Sequence, residues 1–191
     1  MGKLAVTEFI TLDGVIEDPG GSEGHERGGW AFQFERGPEG DQFKLDELMA
    51  ADAQLLGRRT YEGFAAAWPG RTDEVGFAER MNSMPKYVVS STLEAPEWNN
   101  TIVVRDVAEV ARLKDEHEEI LVAGSATLVH ALVDQGLVDE LRLMVFPVVL
   151  GAGKRLFTDG VARQPFRIVD TKQAGEVVIV TLHRAEETTP E

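Results

Sequence analysis

Two short β-forming runs in this chain end on a glycine that opens directly into a helical pattern, and a third ends on serines. They are Leu55-Leu56-Gly57-Arg58-Arg59-Thr60, Leu121-Val122-Ala123-Gly124-Ser125-Ala126-Thr127 and Val88-Val89-Ser90-Ser91. Strands that pass straight into helices do not fold back as hairpins. They predict a mainly parallel sheet covered by helices on both faces.

The rest of the chain fits that frame. Residues 3–11 read as a strand. Residues 13–40, with eight glycines and two prolines, read as a long loop. Its Trp30, Phe32 and Phe34 favour a packed functional loop over a disordered one. A helix is expected over 41–51, a strand over 53–56, and a helix from Gly57 to about Ala67, broken by Pro69-Gly70. Residues 70–84 are polar and give no clear pattern. Strands are expected at 86–90, 101–104 and 120–123. Asp106 with Glu109 marks a capping-box start for a helix over 106–116. Leu128, Val129, Leu132 and Val133 recur at helical spacing, and Gly136 suits a helix C′ position. The run 141–150 reads as a strand buried on both faces, with a homodimer contact as a compatible second reading. Residues 167–172 and 176–183, separated by Ala174-Gly175, form a hairpin signal that adds antiparallel strands. The tail from residue 185 is expected to fray.

Composition excludes several classes. With 191 residues, one domain spanning 1–191 is expected. The 19 Lys and Arg against 33 Asp and Glu give a formal charge of −14, which argues against binding to a nucleic acid backbone. Cysteine is absent, which removes disulfides, thiolate metal sites and Cys nucleophiles. No run approaches the ~18 apolar residues of a membrane helix. The first residues lack a signal-peptide core, so a cytoplasmic location is expected. The four histidines show no metal-ligand spacing, and neither a zinc-protease nor a nucleophile-elbow motif occurs. No metal is expected.

The glycine junctions carry the chemical signal. A helix start has free N–H groups and a partial positive charge, which suits a phosphate. At Gly57, two arginines and Thr60 add charged and hydroxyl donors; taken alone, the motif also reads as a solvated helix start. Gly124, Ser125, Ala126 and Thr127 would let a pyrophosphate approach the backbone, or Ser125 is a simple N-cap. Ser90 and Ser91 could bond a ribose phosphate or form an ordinary turn. Asp13 and Gly14 give a turn signal at the end of the first strand. Gly151 and Gly153 before Lys154 and Arg155 suit a substrate anion, or a solvated loop.

Together with Gly136-Leu137-Val138-Asp139-Glu140-Leu141 and Gly151-Ala152-Gly153 before Leu156-Phe157, these pieces resemble the dihydrofolate-reductase-like superfamily. The closer resemblance is to its riboflavin-biosynthesis reductase branch, the C-terminal domain of the bifunctional deaminase-reductase. It implies an α/β three-layer sandwich with a mainly parallel sheet and a C-terminal antiparallel hairpin. It implies NADPH as cofactor. Arg58, Arg59 and Thr60 would hold its 2′-phosphate side, Ser90 and Ser91 the adenosine ribose phosphate, and Gly124 to Thr127 the pyrophosphate, with Gly57 a further cofactor contact. Asp13, Gly14 and Ile16 would lie near the nicotinamide. The resemblance places an acidic residue on the first helix at Asp41, as catalytic carboxylate; a helix cap is the competing reading, and Asp46 is an alternative carboxylate. Trp30 resembles the aromatic following the substrate loop, or anchors that loop. The missing cysteines exclude the zinc deaminase half.

The expected activity is hydride transfer to a C=N or C=O carbon of a pyrimidine- or pterin-like heterocycle, resembling 5-amino-6-(5-phosphoribosylamino)uracil reductase. The alternatives are a small-molecule-binding module on the same fold without turnover and, remotely, a hydrolase.

Overall fold

The computed structural model describes residues 2–185. Residues 186–191, most of the expected fraying tail, lie outside that range. The strands are β1 Lys3–Thr11, β2 Ala53–Gly57, β3 Lys86–Val89, β4 Thr101–Val104, β5 Glu119–Ala123, β6 Glu140–Phe146, β7 Phe166–Ala174 and β8 Val177–Arg184. They form one sheet in the order β4-β3-β2-β5-β1-β6-β8-β7. Strands β1 to β6 pair in parallel, and β8 and β7 add the antiparallel edge.

Each inner strand feeds two cores. Leu4 and Val6 of β1, Leu55 of β2 and Ile120 and Val122 of β5 pack with α4 (Val110–Glu116) and α5 (Ala126–Asp134). Their neighbours Ala5, Leu56 and Leu121 face α1 (Gly37–Ala50), α2 (Arg58–Ala67) and α3 (Phe77–Ser83). Burial on both faces removes polar alternation, which is why these strands read as continuous apolar runs. The result is the three-layer sandwich expected from the sequence.

The long loop is packed. Asp18 is buried, and its carboxylate accepts the Glu23 and His25 amides, each at 3.0 Å. The loop carries a 3₁₀ turn at Trp30–Gln33. Trp30 sits edge-on to Phe146 at 5.3 Å between ring centres and donates its indole N–H to Glu17 O at 3.0 Å.

Several boundaries differ from the sequence reading. Helix α1 starts at Gly37 with Pro38 in its first turn, four residues before Asp41, because proline is pre-set for that position. Asp41 is therefore not a cap. Helix α3 occupies part of the polar stretch 70–84. The Asp73 carboxylate organises its start by accepting the Val75, Phe77 and Ala78 amides at 3.0, 2.9 and 2.5 Å, a side-chain device with no apolar period. Strand β6 stops at Phe146 because Pro147 has no N–H for the ladder. It lies between β1 and β8, so it has no free edge for a second copy. The capping box at Asp106 forms as expected, over a short 3₁₀ turn that runs into α4.

Candidate functional site

A cleft of about 1350 Å³ opens at the C-terminal ends of β2, β5 and β1, where open α/β sheets place ligands. Because β2 and β5 are neighbours, their two glycine turns meet there and interlock. The Gly57 amide donates to Ser125 Oγ at 2.8 Å, and Ser125 Oγ donates to Thr60 Oγ1 at 2.9 Å. A Cβ on Gly57 would come within 3.2 Å of the Ser125 side chain, and one on Gly124 within 3.3 Å of Thr60. Gly124 and Ser125 both adopt left-handed backbone, with φ of +60° and +67°. That is ordinary for glycine and costly for serine.

Neither α2 nor α5 has a side-chain cap on its first amides. Ser125 occupies the N-cap position of α5, as the sequence suggests, but its hydroxyl ties the two turns together and does not cap the helix amides. Two helix N-termini with free N–H groups thus face one cleft. Such a pair is suited to an anion bridging them.

The other expected cofactor contacts divide. Ile16, Gly57, Arg58, Arg59, Thr60, Gly124, Ser125, Ala126 and Thr127 all line the cleft. The Arg58 guanidinium is already engaged by Glu62 at 2.7 Å and Thr92 at 2.6 Å. Arg59 is exposed and has no carboxylate partner among the described residues. Ser90 spends its hydroxyl inside its own turn, accepting the Thr92 and Leu93 amides at 3.3 and 3.0 Å, and neither it nor Ser91 is among the cleft-lining residues.

Asp13 and Gly14 also lie outside the lining. Asp13 accepts the Thr11 hydroxyl at 2.7 Å and the Leu150 and Gly151 amides at 3.1 and 2.8 Å. These bonds, the Thr11 hydroxyl first, hold its carboxyl down to about 2. Asp13 is a pin between the loop after β1 and the loop after β6. Arg155 reinforces the pin by donating to Asp13 O at 2.9 Å, whereas Lys154 does reach the cleft. Trp30 anchors its loop and is 1% exposed, so it offers no surface to a substrate.

Asp41 stands on the cleft with its side chain 66% exposed and paired to Arg36 at 2.6 Å. It is not the buried carboxylate that acid-base chemistry calls for. Two other carboxylates are. Glu47, on the inner face of α1, accepts the Thr7 hydroxyl at 2.9 Å and contacts Lys44, which also donates to Thr7 at 2.9 Å. Its Oε2 is buried without a partner. Glu8, on β1, is 4% exposed and its Oε1 is likewise buried and unpartnered. Burial pushes the Glu8 carboxyl up to about 8, against the pull of the Lys44 charge and the Gly124 amide. Both line the cleft. The sequence carried one signal for Glu8: a charged residue inside an apolar run that is buried on both faces.

Among the described residues no His, Asp and Glu cluster is arranged to hold a metal ion, and no helix is long and apolar enough to cross a membrane.

Residues 2–180 match the family described as the RibD C-terminal domain. The chain is 33% identical over 186 residues to the uncharacterised protein YyaP of Bacillus subtilis (strain 168), covering 93% of each. Among solved structures it is similar to a protein described as a riboflavin biosynthesis protein from Shewanella sp. PV-4, with a TM-score of 0.73 and 21% identity over 96% of this chain and 99% of that one. It is also similar to the dihydrofolate reductase of Enterococcus faecalis solved with NADP(H) and RAB-propyl, with a TM-score of 0.60 and 18% identity over 97% and 98% of the two chains. Both likenesses are of fold.

Proposed function

The chain belongs to the RibD C-terminal domain family, and from that premise we propose that it is an NADPH-dependent reductase. Its reaction is hydride transfer to a C=N or C=O carbon of a small pyrimidine- or pterin-like heterocycle. The observation that carries this reading is the pair of uncapped helix N-termini locked side by side by Ser125. The dihydrofolate reductase of the same fold was solved with NADP(H), which supports the choice of dinucleotide.

In this reading the first amides of α2 and α5 hold the pyrophosphate, and Thr60 and Thr127 add hydroxyl donors. Arg59, free of a carboxylate partner, takes the 2′-phosphate, with Arg58 beside it. Ile16 borders the nicotinamide end. The bound nicotinamide supplies the hydride, and the protein supplies orientation and charge. Glu47 replaces Asp41 as the carboxylate of the first helix. Held by Thr7 and Lys44, it presents Oε2 as an acceptor for ring N–H groups of the heterocycle. A buried acceptor with one open position discriminates strongly against ligands that leave it unpaired.

The test is a titration with NADPH and NADH, followed by a panel of pterins and pyrimidines with cofactor oxidation as readout. Tight binding of NADPH over NADH, with oxidation in the presence of one heterocycle class, is expected. Binding without oxidation by any of them would favour a binding module, and absence of NADPH binding would refute the cofactor reading.

A further inference from the structure

Glu8 has no place in that account, yet its position is unusual. It is the one acidic residue of a strand, Lys3–Thr11, that also holds the buried Leu4, Ala5, Val6 and Ile10, and it is buried with an oxygen that no protein group satisfies. A buried polar atom left unpaired is costly in a folded protein, and where it opens on a cleft a ligand can complete its bonding. The side chain lines the cleft. Thr7 pairs with Ala123, so Glu8 stands level with Gly124, one strand beyond the β2–β5 turns.

We propose that Glu8 is a catalytic residue, the proton donor of this cleft. The inference rests on the reductase reading and adds to it the source of the proton that accompanies the hydride. As hydride from the nicotinamide reductant reaches the carbon of the C=N or C=O bond, the displaced π pair moves onto the heteroatom. Glu8 breaks its O–H bond and gives that heteroatom its proton. The substrate gains a hydride and a proton, the reductant loses the hydride, and Glu8 is left as a carboxylate that regains its proton from water.

The surroundings suit both states. Burial keeps the acid neutral near pH 7 and sets its titration at about 8, close to the operating range in which general acids work best. Lys44 on α1 stabilises the carboxylate left after transfer, and the Gly124 amide adds to that. Glu47 on α1 and Glu23 on the loop oppose ionisation. Glu23 is itself pushed up by burial and by Asp18 and Glu17, and pulled down by Lys154 and Arg59.

The test uses the full chain with carboxyl-labelled glutamate, the Glu8 resonance being assigned with Glu8→Gln. The expected result is a neutral Glu8 at pH 7 that titrates at about 8 and whose resonance moves when NADPH saturates the protein. NADPH oxidation with a substrate heterocycle should be about tenfold slower at pH 9 than at pH 7 in the wild type, since one pH unit beyond the titration point leaves about a tenth of the acid neutral. Glu8→Gln should lose that dependence. An ionised Glu8 at pH 7, or a Glu8→Gln variant that oxidises NADPH at the wild-type rate with the wild-type pH profile, overturns the proton-donor role and leaves the reductase reading standing. No NADPH binding at any pH overturns both.

Discussion

Ser125 holds a left-handed backbone that favours glycine, and its hydroxyl is what repays the strain. It accepts the Gly57 amide and donates to Thr60. Ser125→Ala keeps the strained backbone and loses both bonds, so it should lower stability by about 1–3 kcal/mol, read as a shift in the denaturant midpoint, and should weaken NADPH binding. The two arginines differ in availability. Arg59→Ala should weaken NADPH at least tenfold and leave NADH nearly unchanged, since it removes a charge-assisted partner of the 2′-phosphate. Arg58→Ala should do less, because Glu62 and Thr92 already occupy its guanidinium. Equal losses for the two cofactors in Arg59→Ala would reassign the residue. Glu8 makes a prediction that needs no ligand. Its carboxyl in the fold titrates at about 8, above its ordinary value of 4.5, so the native state binds the extra proton between those limits. The contribution of neutral Glu8 is fully present below about pH 4.5 and is lost as pH rises through 8. The wild type should therefore lose stability relative to Glu8→Gln across that window, as thermal melts of the pair would show.

At the scale of elements, the two glycine junctions form one hydrogen-bonded unit, on which the proposed cofactor site rests. Gly124→Ala puts an L side chain at φ +60° and within 3.3 Å of Thr60. It should cost about 1–3 kcal/mol and weaken NADPH binding, while a surface glycine with open space around it, Gly63, should tolerate alanine. These junctions were legible in the sequence because a strand, a glycine and a helix start leave a local pattern. Asp106 and Gly136 were legible for the same reason: each cap is built within a few residues. What the sequence hid depends on partners far along the chain. Asp13 looks like a turn residue near a ring, but the Leu150 and Gly151 amides claim its carboxylate. Ser90 looks like a phosphate ligand, and its hydroxyl is used within its own turn. Asp41 lies four residues inside a helix whose true start is set by Gly37 and Pro38, so it faces out, and the inner face of α1 carries Glu47 instead. Trp30 is held by Phe146, more than a hundred residues away.

For the whole molecule, the formal charge of −14 gives the site its contrast. An acidic protein disfavours anions broadly, so an anionic cofactor of the kind proposed would be favoured only where helix ends, Arg59 and Lys154 converge on one cleft. The sheet order makes that convergence possible by seating β2 beside β5 and β5 beside β1. The order is a consequence of crossovers that no local motif encodes, although alternating strands and helices announced the layers. The most direct measurement of the central claim is a crystal structure of the full chain with NADP⁺. The pyrophosphate should lie between the first amides of α2 and α5, with the 2′-phosphate against Arg59. A dinucleotide bound elsewhere, or a cleft in which those amides face only water at saturating NADP⁺, would contradict it.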